Sequence, residues 1–334
     1  MSDKLIVVLG ATGTQGGSVA RLYSTLPGWR VRGITRDPTK PSCATLRDAG
    51  VELVAGDLND QASLDRAFEG ADAIFAVTDF WQFMSQPATI ERAGKEGRAP
   101  NQVAFDLEVQ QGKNIVDAAA KVATLSRLVI SSLSDSEKWS GGKITWNYHF
   151  DSKARYCDYL KSSFPELAQK TSYVQIGYYL SNWNAFPFLA PAKEDDGSYL
   201  HIGINRPDSK HLTPYVDPPN DTGYFVKALV EYPQANQTLF GYSELMSGAD
   251  YTALWGKTLG VKASFDGLEL EGLTATGLPD FLAKELAESG AYCATWGWHG
   301  GDPEVKHPKE LGVEVEKLTK VADWIKKEDW SGVL

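Results

Sequence analysis

The chain has 334 residues, 43% of them hydrophobic and 23% charged, the balance of an ordinary globular protein. No apolar run approaches the roughly 20 residues of a membrane span, so no membrane partner is expected, and a formal charge of −10 argues against direct contact with nucleic acid. Three scattered cysteines, Cys43, Cys157 and Cys293, make neither a disulfide framework nor a metal cluster. Met1-Ser2-Asp3 runs directly into an apolar stretch, which leaves no room for a signal peptide. The expected compartment is the cytoplasm, with the nucleus as the alternative.

The first element reads Lys4-Leu5-Ile6-Val7-Val8-Leu9-Gly10, with Gly13 and Gly16 following at spacings of three. Val19, Leu22, Tyr23 and Leu26 then repeat at helical spacing. Strand, tight glycine turn and helix are the context that a dinucleotide fingerprint requires. Glycines let the backbone approach a pyrophosphate, and the positive end of the helix faces it. The second strand, Arg30–Arg36, ends at the place where NAD-binding proteins commonly hold a carboxylate. Thr35 and Arg36 occupy it, and a guanidinium there suits the 2′-phosphate of NADP(H). Asp37 is the alternative, an NAD-type carboxylate.

A third strand, Val51–Leu58, leads into the amphipathic Ser63–Phe68, and Asp57 either meets an adenine or caps that helix. The strand Asp72–Val77 continues into Thr78-Asp79-Phe80-Trp81, whose aromatic rings either wall a pocket or pack a loop. Gln86–Asn101 is polar, without a sustained period, and is expected as an ordered excursion or a flexible rim. Val103–Val122 is the next helix and Arg127–Ser132 the fifth strand, followed by a Gly-, Ser- and Trp-rich loop over Asp135–Asn147. Tyr148-His149-Phe150-Asp151-Ser152-Lys153 opens another helix, and the strand Ser172–Ile176 precedes Gly177-Tyr178-Tyr179.

This alternation predicts a Rossmann-type, doubly wound parallel sheet over residues 1–183. Beyond Ala185 the rhythm breaks, and residues 184–334 are expected to form a smaller α+β cap, some segments of which return to the sheet. Tyr199–Gly203 and Thr238–Gly241 look like isolated strands there, with helices near Tyr224–Val230, Ala249–Leu259 and Phe281–Glu288.

Together these residues resemble the NmrA-like family, atypical members of the short-chain dehydrogenase/reductase superfamily. The resemblance rests on Gly10-Ala11-Thr12-Gly13-Thr14-Gln15-Gly16-Gly17, Thr35-Arg36-Asp37 and Gly56-Asp57-Leu58. Gly112–Ala119, His149–Lys153, Val216-Asp217 and Asp221-Thr222-Gly223 extend it across nearly the whole chain. It implies an extended Rossmann fold that binds NADP(H). Gly10, Thr12, Gly13, Thr14, Gln15 and Gly16 would line the phosphates, Arg36 the 2′-phosphate, and Asp57 and Leu58 the adenine. Val77 and Thr78 would flank the ribose and nicotinamide, Lys153 would bond that ribose, and Tyr178 to Asn182 would close the end.

In typical members of the superfamily a tyrosine lies four residues before the lysine and protonates a carbonyl as hydride arrives. Here that position holds His149, which has the reach and titrates near neutrality as a class. Tyr148 is one residue further, about 100° round the helix, and does not substitute. Ser131, Ser132 and Ser134 lie where a catalytic serine is kept, Ser132 being the expected one, with Tyr178 a further candidate. Aromatic residues at Phe80-Trp81, Tyr178-Tyr179, Trp183 and Trp296-Gly297-Trp298-His299 suggest a pocket for a flat organic molecule, or else core packing.

Three functions follow. The first is an NADPH-dependent oxidoreductase reducing a carbonyl, imine or enone of a small aromatic molecule. The second is an NADP-responsive regulator acting through a protein partner such as a transcription factor. The third is redox-neutral acid–base chemistry, such as a cyclisation, on the same scaffold. The aromatic cap favours the first.

Overall fold

Eight parallel strands make the central sheet of the structure, a computed structural model that describes residues 3–203, 209–267 and 270–334. In chain order the strands are β1 (Lys4–Val8), β2 (Trp29–Thr35), β3 (Glu52–Ala55), β4 (Ala73–Ala76), β5 (Arg127–Ser132), β6 (Thr171–Ile176) and β7 (Tyr178–Tyr179). They continue with β8 (Ala192–Lys193), β9 (Tyr199–Gly203), β10 (Thr213–Val216), β11 (Thr238–Gly241), β12 (Glu244–Met246), β13 (Ala263–Gly267) and β14 (Val305–Lys306). The main sheet runs β14-β11-β6-β5-β4-β1-β2-β3. From β1 the chain builds outward to β3 and then crosses back to β4 on the other side of β1. That reversal makes the carboxyl ends of β1 and β4 the crevice where an open parallel sheet binds ligands.

Alternation along β1 shows why the sheet is covered on both faces. Ile6 and Val8 join one buried cluster with Val19, Tyr23, Phe225 and Leu229, whereas Leu5, Val7 and Leu9 join another with Leu64, Phe68, Ile115, Val116 and Leu160. The first cluster is roofed by the helices Thr14–Ser24 and Pro218–Glu231, the second by Gln61–Phe68, Pro100–Ala119 and Tyr148–Ser163. The last two approach closely because position 112 is glycine. A Cβ there would collide with the Tyr156 ring.

Two sequence expectations change. Thr238–Gly241 is not isolated: it pairs in parallel with β6, burying Leu239 and Phe240, and β14 pairs beside it. Both strands lie beyond residue 184 yet extend the main sheet, a long-range pairing that local pattern does not announce. Of the two readings of Gln86–Asn101 the ordered excursion holds, since it contains the helix Pro87–Glu96, stopped by Gly97 at φ +63°. That helix has few apolar residues to show a period, and pairs one turn apart, Lys95–Glu91 and Arg92–Glu96, serve its solvent face. Tyr199–Gly203 has neighbours too, in a small sheet of order β13-β9-β8, while β12-β10-β7 forms another. Among the described residues no helix is long and apolar enough to cross a membrane, and no His, Cys, Asp or Glu group is placed to hold a metal ion.

Candidate functional site

The glycine turn lies at the crevice. Gly10 follows β1 at φ +61°, and Gly13 donates its N–H to the Gly10 carbonyl at 2.8 Å before the helix begins. A Cβ on Gly16 would collide with the backbone carbonyls of Leu9 and Gly10, so the turn can be this tight only with glycine there. The helix Thr14–Ser24 has no side-chain cap and no acidic residue in its first turn. Its first N–H groups are therefore directed outward with Thr12, Gly13 and Thr14 exposed beside them. Gln15 donates to Tyr179 Oη at 2.6 Å, while its Oε1 is buried without a partner.

Arg36 is exposed at the end of β2 and has no hydrogen bond or ion pair to any described residue. Asp37 is occupied: its Oδ1 accepts from the Thr39 N–H at 2.9 Å and the Thr39 hydroxyl at 2.6 Å, which holds its carboxyl below the usual range. Asp57 accepts from the Asn59 N–H at 2.8 Å, and Leu58 offers its carbonyl to Asn114 at 2.7 Å. Gln111 donates to Asn59 at 3.2 Å and keeps a buried, unpartnered Oε1. The helix Pro100–Ala119 thus sets the Asp57–Asn59 turn. A cationic arm, an open helix N-terminus and an ordered turn along one crevice fit a phosphorylated dinucleotide.

The helix Tyr148–Ser163 carries His149 and Lys153, the expected catalytic pair. His149 and Lys153 are one turn apart, and each meets a fully buried carboxylate from another helix. The His149 Nδ1 lies 2.7 Å from Glu285 Oε1, and the same oxygen accepts the His149 backbone N–H at 3.0 Å. Lys153 Nζ donates to Glu108 Oε1 at 2.7 Å and reaches the His149 carbonyl at 3.4 Å. The Ser152 hydroxyl donates to the other oxygen of Glu108. Tyr148 turns away to Gln102 and Phe105, as the 100° argument requires. Trp81 lies against His149 with ring centroids 4.8 Å apart, and Phe186 meets Trp81 edge-on at 5.5 Å.

Asp151, in the same motif, does structural work. Its Oδ1 accepts from the Ser136 N–H and hydroxyl and from the Glu137 N–H, fixing the loop before the helix. Burial outweighs those bonds and pushes its carboxyl up from 3.8 to about 6. The folded state therefore binds the extra proton, and stability falls as pH rises through that window. Asp151→Asn keeps an acceptor oxygen and removes the titration. Relative to the variant, the native protein is expected to lose on the order of 2–3 kcal/mol between pH 4 and 7. Urea midpoints of both proteins across that range are the measurement, and parallel curves would contradict the assignment.

The remaining expected residues divide. Val77 packs over the glycine turn, within 3.2 Å of where a Gly10 Cβ would lie. Thr78 Oγ1 is 3.3 Å from the Tyr156 hydroxyl, so the end of β4 touches the His149 helix. Ser131 and Ser132 are buried at the end of β5, and Ser134 is spent on Tyr292 and the Trp298 carbonyl. Tyr178 points into the cap, edge-on to Tyr215 and hydrogen-bonded to Asn182, and burial raises its phenol. Successive strand residues face opposite ways, so Tyr179 is the one that reaches Gln15.

Most of the aromatic surplus is also core. Trp183 stacks on Trp330 at 4.7 Å, Trp296 on Tyr292, and Trp298 packs on Phe150 while its indole N–H donates to the Ile176 carbonyl. These pairings leave Trp81, Phe80 and Phe150 as the rings that pack on His149, with Phe186 edge-on to Trp81. Glu108 and Glu285 are the residues that sequence reasoning did not assign.

The profile of the NmrA-like family matches residues 2–325. The NmrA-like family domain-containing oxidoreductase hkm9 of Aspergillus hancockii is 28% identical over 85% of this chain and 82% of its own. NmrA, a negative transcriptional regulator solved in complex with NADP, superposes with a TM-score of 0.71 at 18% identity, over 98% of this chain and 95% of that one. The NADPH-dependent quinone oxidoreductase QOR2 of Escherichia coli, complexed with NADPH, gives 0.65 at 19%, over 96% and 99%. At those identities the two structures speak for the fold.

Proposed function

The chain belongs to the NmrA-like family, and from that premise we propose that it is an NADPH-dependent reductase of a carbonyl, imine or enone on a small aromatic molecule. The observation that carries this reading is the pair His149 and Lys153, each tied to a buried carboxylate, with the Trp81 ring against His149. The oxidoreductase name of hkm9 and the NADP and NADPH bound in the two solved neighbours support it.

The first turn of the helix at Gly13 would hold the pyrophosphate through backbone N–H groups, with Gly10, Thr12, Thr14, Gln15 and Gly16 around it. Arg36 would take the 2′-phosphate, Asp57 and Leu58 the adenine, and Val77, Thr78 and Asn182 the nicotinamide side. Lys153 has three donors; one goes to Glu108 and one reaches the His149 carbonyl, leaving the third for a ribose hydroxyl. When bound, NADPH supplies a hydride to the substrate carbon. His149 delivers the balancing proton from Nε2 to the substrate oxygen or nitrogen and recovers it from water. Trp81 and Phe186 hold a flat ring and keep water from the exchange.

Two measurements test this. Loss of reduced-nicotinamide absorbance in step with product, on a panel of aromatic carbonyls, imines and enones, is expected. Product without an absorbance change would turn the site to acid–base chemistry alone, and no product at all would leave a nucleotide-binding regulator. For the cofactor, Arg36→Ala should weaken NADP binding by about 1.5–3 kcal/mol, the worth of a lost charged partner, with NAD almost unaffected. Calorimetric titration of both cofactors decides, and a native protein preferring NAD would overturn the choice.

A further inference from the structure

Glu285 comes from the cap, on the helix Asp280–Trp296, and is wholly buried. Its Oε1 accepts both the backbone N–H and the Nδ1 of His149, and its Oε2 accepts from Asn101 Nδ2 at 2.9 Å. Among the described residues no Lys or Arg pairs with it, and His149 is its one ionic partner. A carboxylate in a dry site is costly unless it is paired. A glutamine would satisfy the backbone N–H as well. Only a carboxylate can accept there without ever donating, and only it stabilises an imidazolium. The same helix is anchored around this contact. Glu288 accepts the N–H groups of Thr145 and Trp146, and the Lys284 ammonium lies 4.1 Å from the Trp146 ring centre.

We propose that Glu285 is the positioning residue of the reaction: it holds one proton of His149 on Nδ1, so that Nε2 faces the substrate, takes up the second proton from water and delivers it from the imidazolium that the carboxylate stabilises. The inference rests on His149 being the proton carrier. It places one half of the acid on the Rossmann half of the chain and its orienting partner on the cap. Glu285 does not touch substrate or cofactor. It acts through the imidazole, in the manner of an acid that orients a histidine toward a reacting group.

A glutamine at 285 must keep its oxygen on the His149 backbone N–H and so still accepts from Nδ1, but it carries no charge and no longer stabilises the imidazolium from which Nε2 delivers a proton. Glu285→Gln is therefore expected to lower kcat at least about tenfold, toward the 10²–10⁴ of a positioned acid, with the NADPH Kd unchanged. In a double-mutant cycle, His149→Phe/Glu285→Gln should be no slower than His149→Phe alone, because the partner it orients is already gone. A merely structural Glu285 would slow both backgrounds equally, and that result overturns the inference. So does full activity in Glu285→Gln when His149→Phe is inactive. Full activity in His149→Phe instead removes the reading on which the inference rests. Should the variants fail to fold, ¹⁵N-histidine spectra of the native protein decide alone. A neutral His149 with its proton on Nδ1 is expected, and one with its proton on Nε2 would overturn the assignment.

Discussion

Glu108→Ala is expected to lower the unfolding free energy by about 3–5 kcal/mol, the cost of stranding one member of a buried ion pair. Lys153 is 11% exposed in its side chain and Glu108 is not exposed at all, so water cannot take over when the carboxylate is removed. The Ser152 hydroxyl loses its acceptor at the same time. Both losses fall between the helices Pro100–Ala119 and Tyr148–Ser163, which are packed closely enough that Gly112 lies against the Tyr156 ring. Adding Lys153→Met removes the stranded charge, and the double variant should recover part of the loss. Urea unfolding with an unchanged m-value is the measurement. A loss below about 1 kcal/mol, the scale of a solvent-exposed pair, would show that this one is hydrated in solution.

The same pair shows where the sequence is legible and where it is not. Spacing alone put His149 and Lys153 on one helical face and turned Tyr148 off it, because both statements need only the helical period. The glycine turn was legible for a similar reason: its residues are neighbours in the chain. Glu108 lies 45 residues before Lys153 and Glu285 lies 136 after His149, so only tertiary packing brings them together. A signal did exist. Glu108 interrupts the buried stripe Ala104, Gly112, Ile115 and Ala119, and Glu285 lies among Ala283, Leu286 and Ser289. A carboxylate on a buried stripe asks for a partner, though the sequence does not say which one.

Tyr178 and Tyr179 teach the opposite lesson. Both belong to the matched segment, but a two-residue strand sends them to opposite sides. Which side faced the crevice depended on the pairing of β7 with β10, which no local pattern gives. Of the two readings of the aromatic clusters, pocket or core, core packing holds for most of them. Trp183, Trp296 and Trp298 find their partners in Trp330, Tyr292 and Phe150, residues remote from the site in sequence or turned beneath it.

His149→Phe should reduce turnover by roughly 10²–10⁴, the usual worth of a positioned general acid or base. Phenylalanine keeps a ring against Trp81 and Phe80, so the aromatic side survives while both nitrogens are lost. The proposed phosphate and 2′-phosphate contacts would not involve this side chain, and NADPH affinity is expected to stay within a few-fold of native. The variant also strands Glu285 in the interior, which costs stability. Turnover must therefore be measured on protein shown to be folded, and His149→Phe/Glu285→Gln supplies the same chemistry with a neutral interior. Lys153→Met should behave differently and damage cofactor affinity together with turnover, because in the proposed site its ammonium would serve the ribose. The assay follows product and reduced-nicotinamide absorbance together. Equal loss of both in His149→Phe, with NADPH still bound, is the outcome that the reductase reading requires. Full activity would remove His149 from the mechanism and direct attention to Ser132, buried at the end of β5, and to Tyr179, whose hydroxyl already meets the glycine-turn residue Gln15.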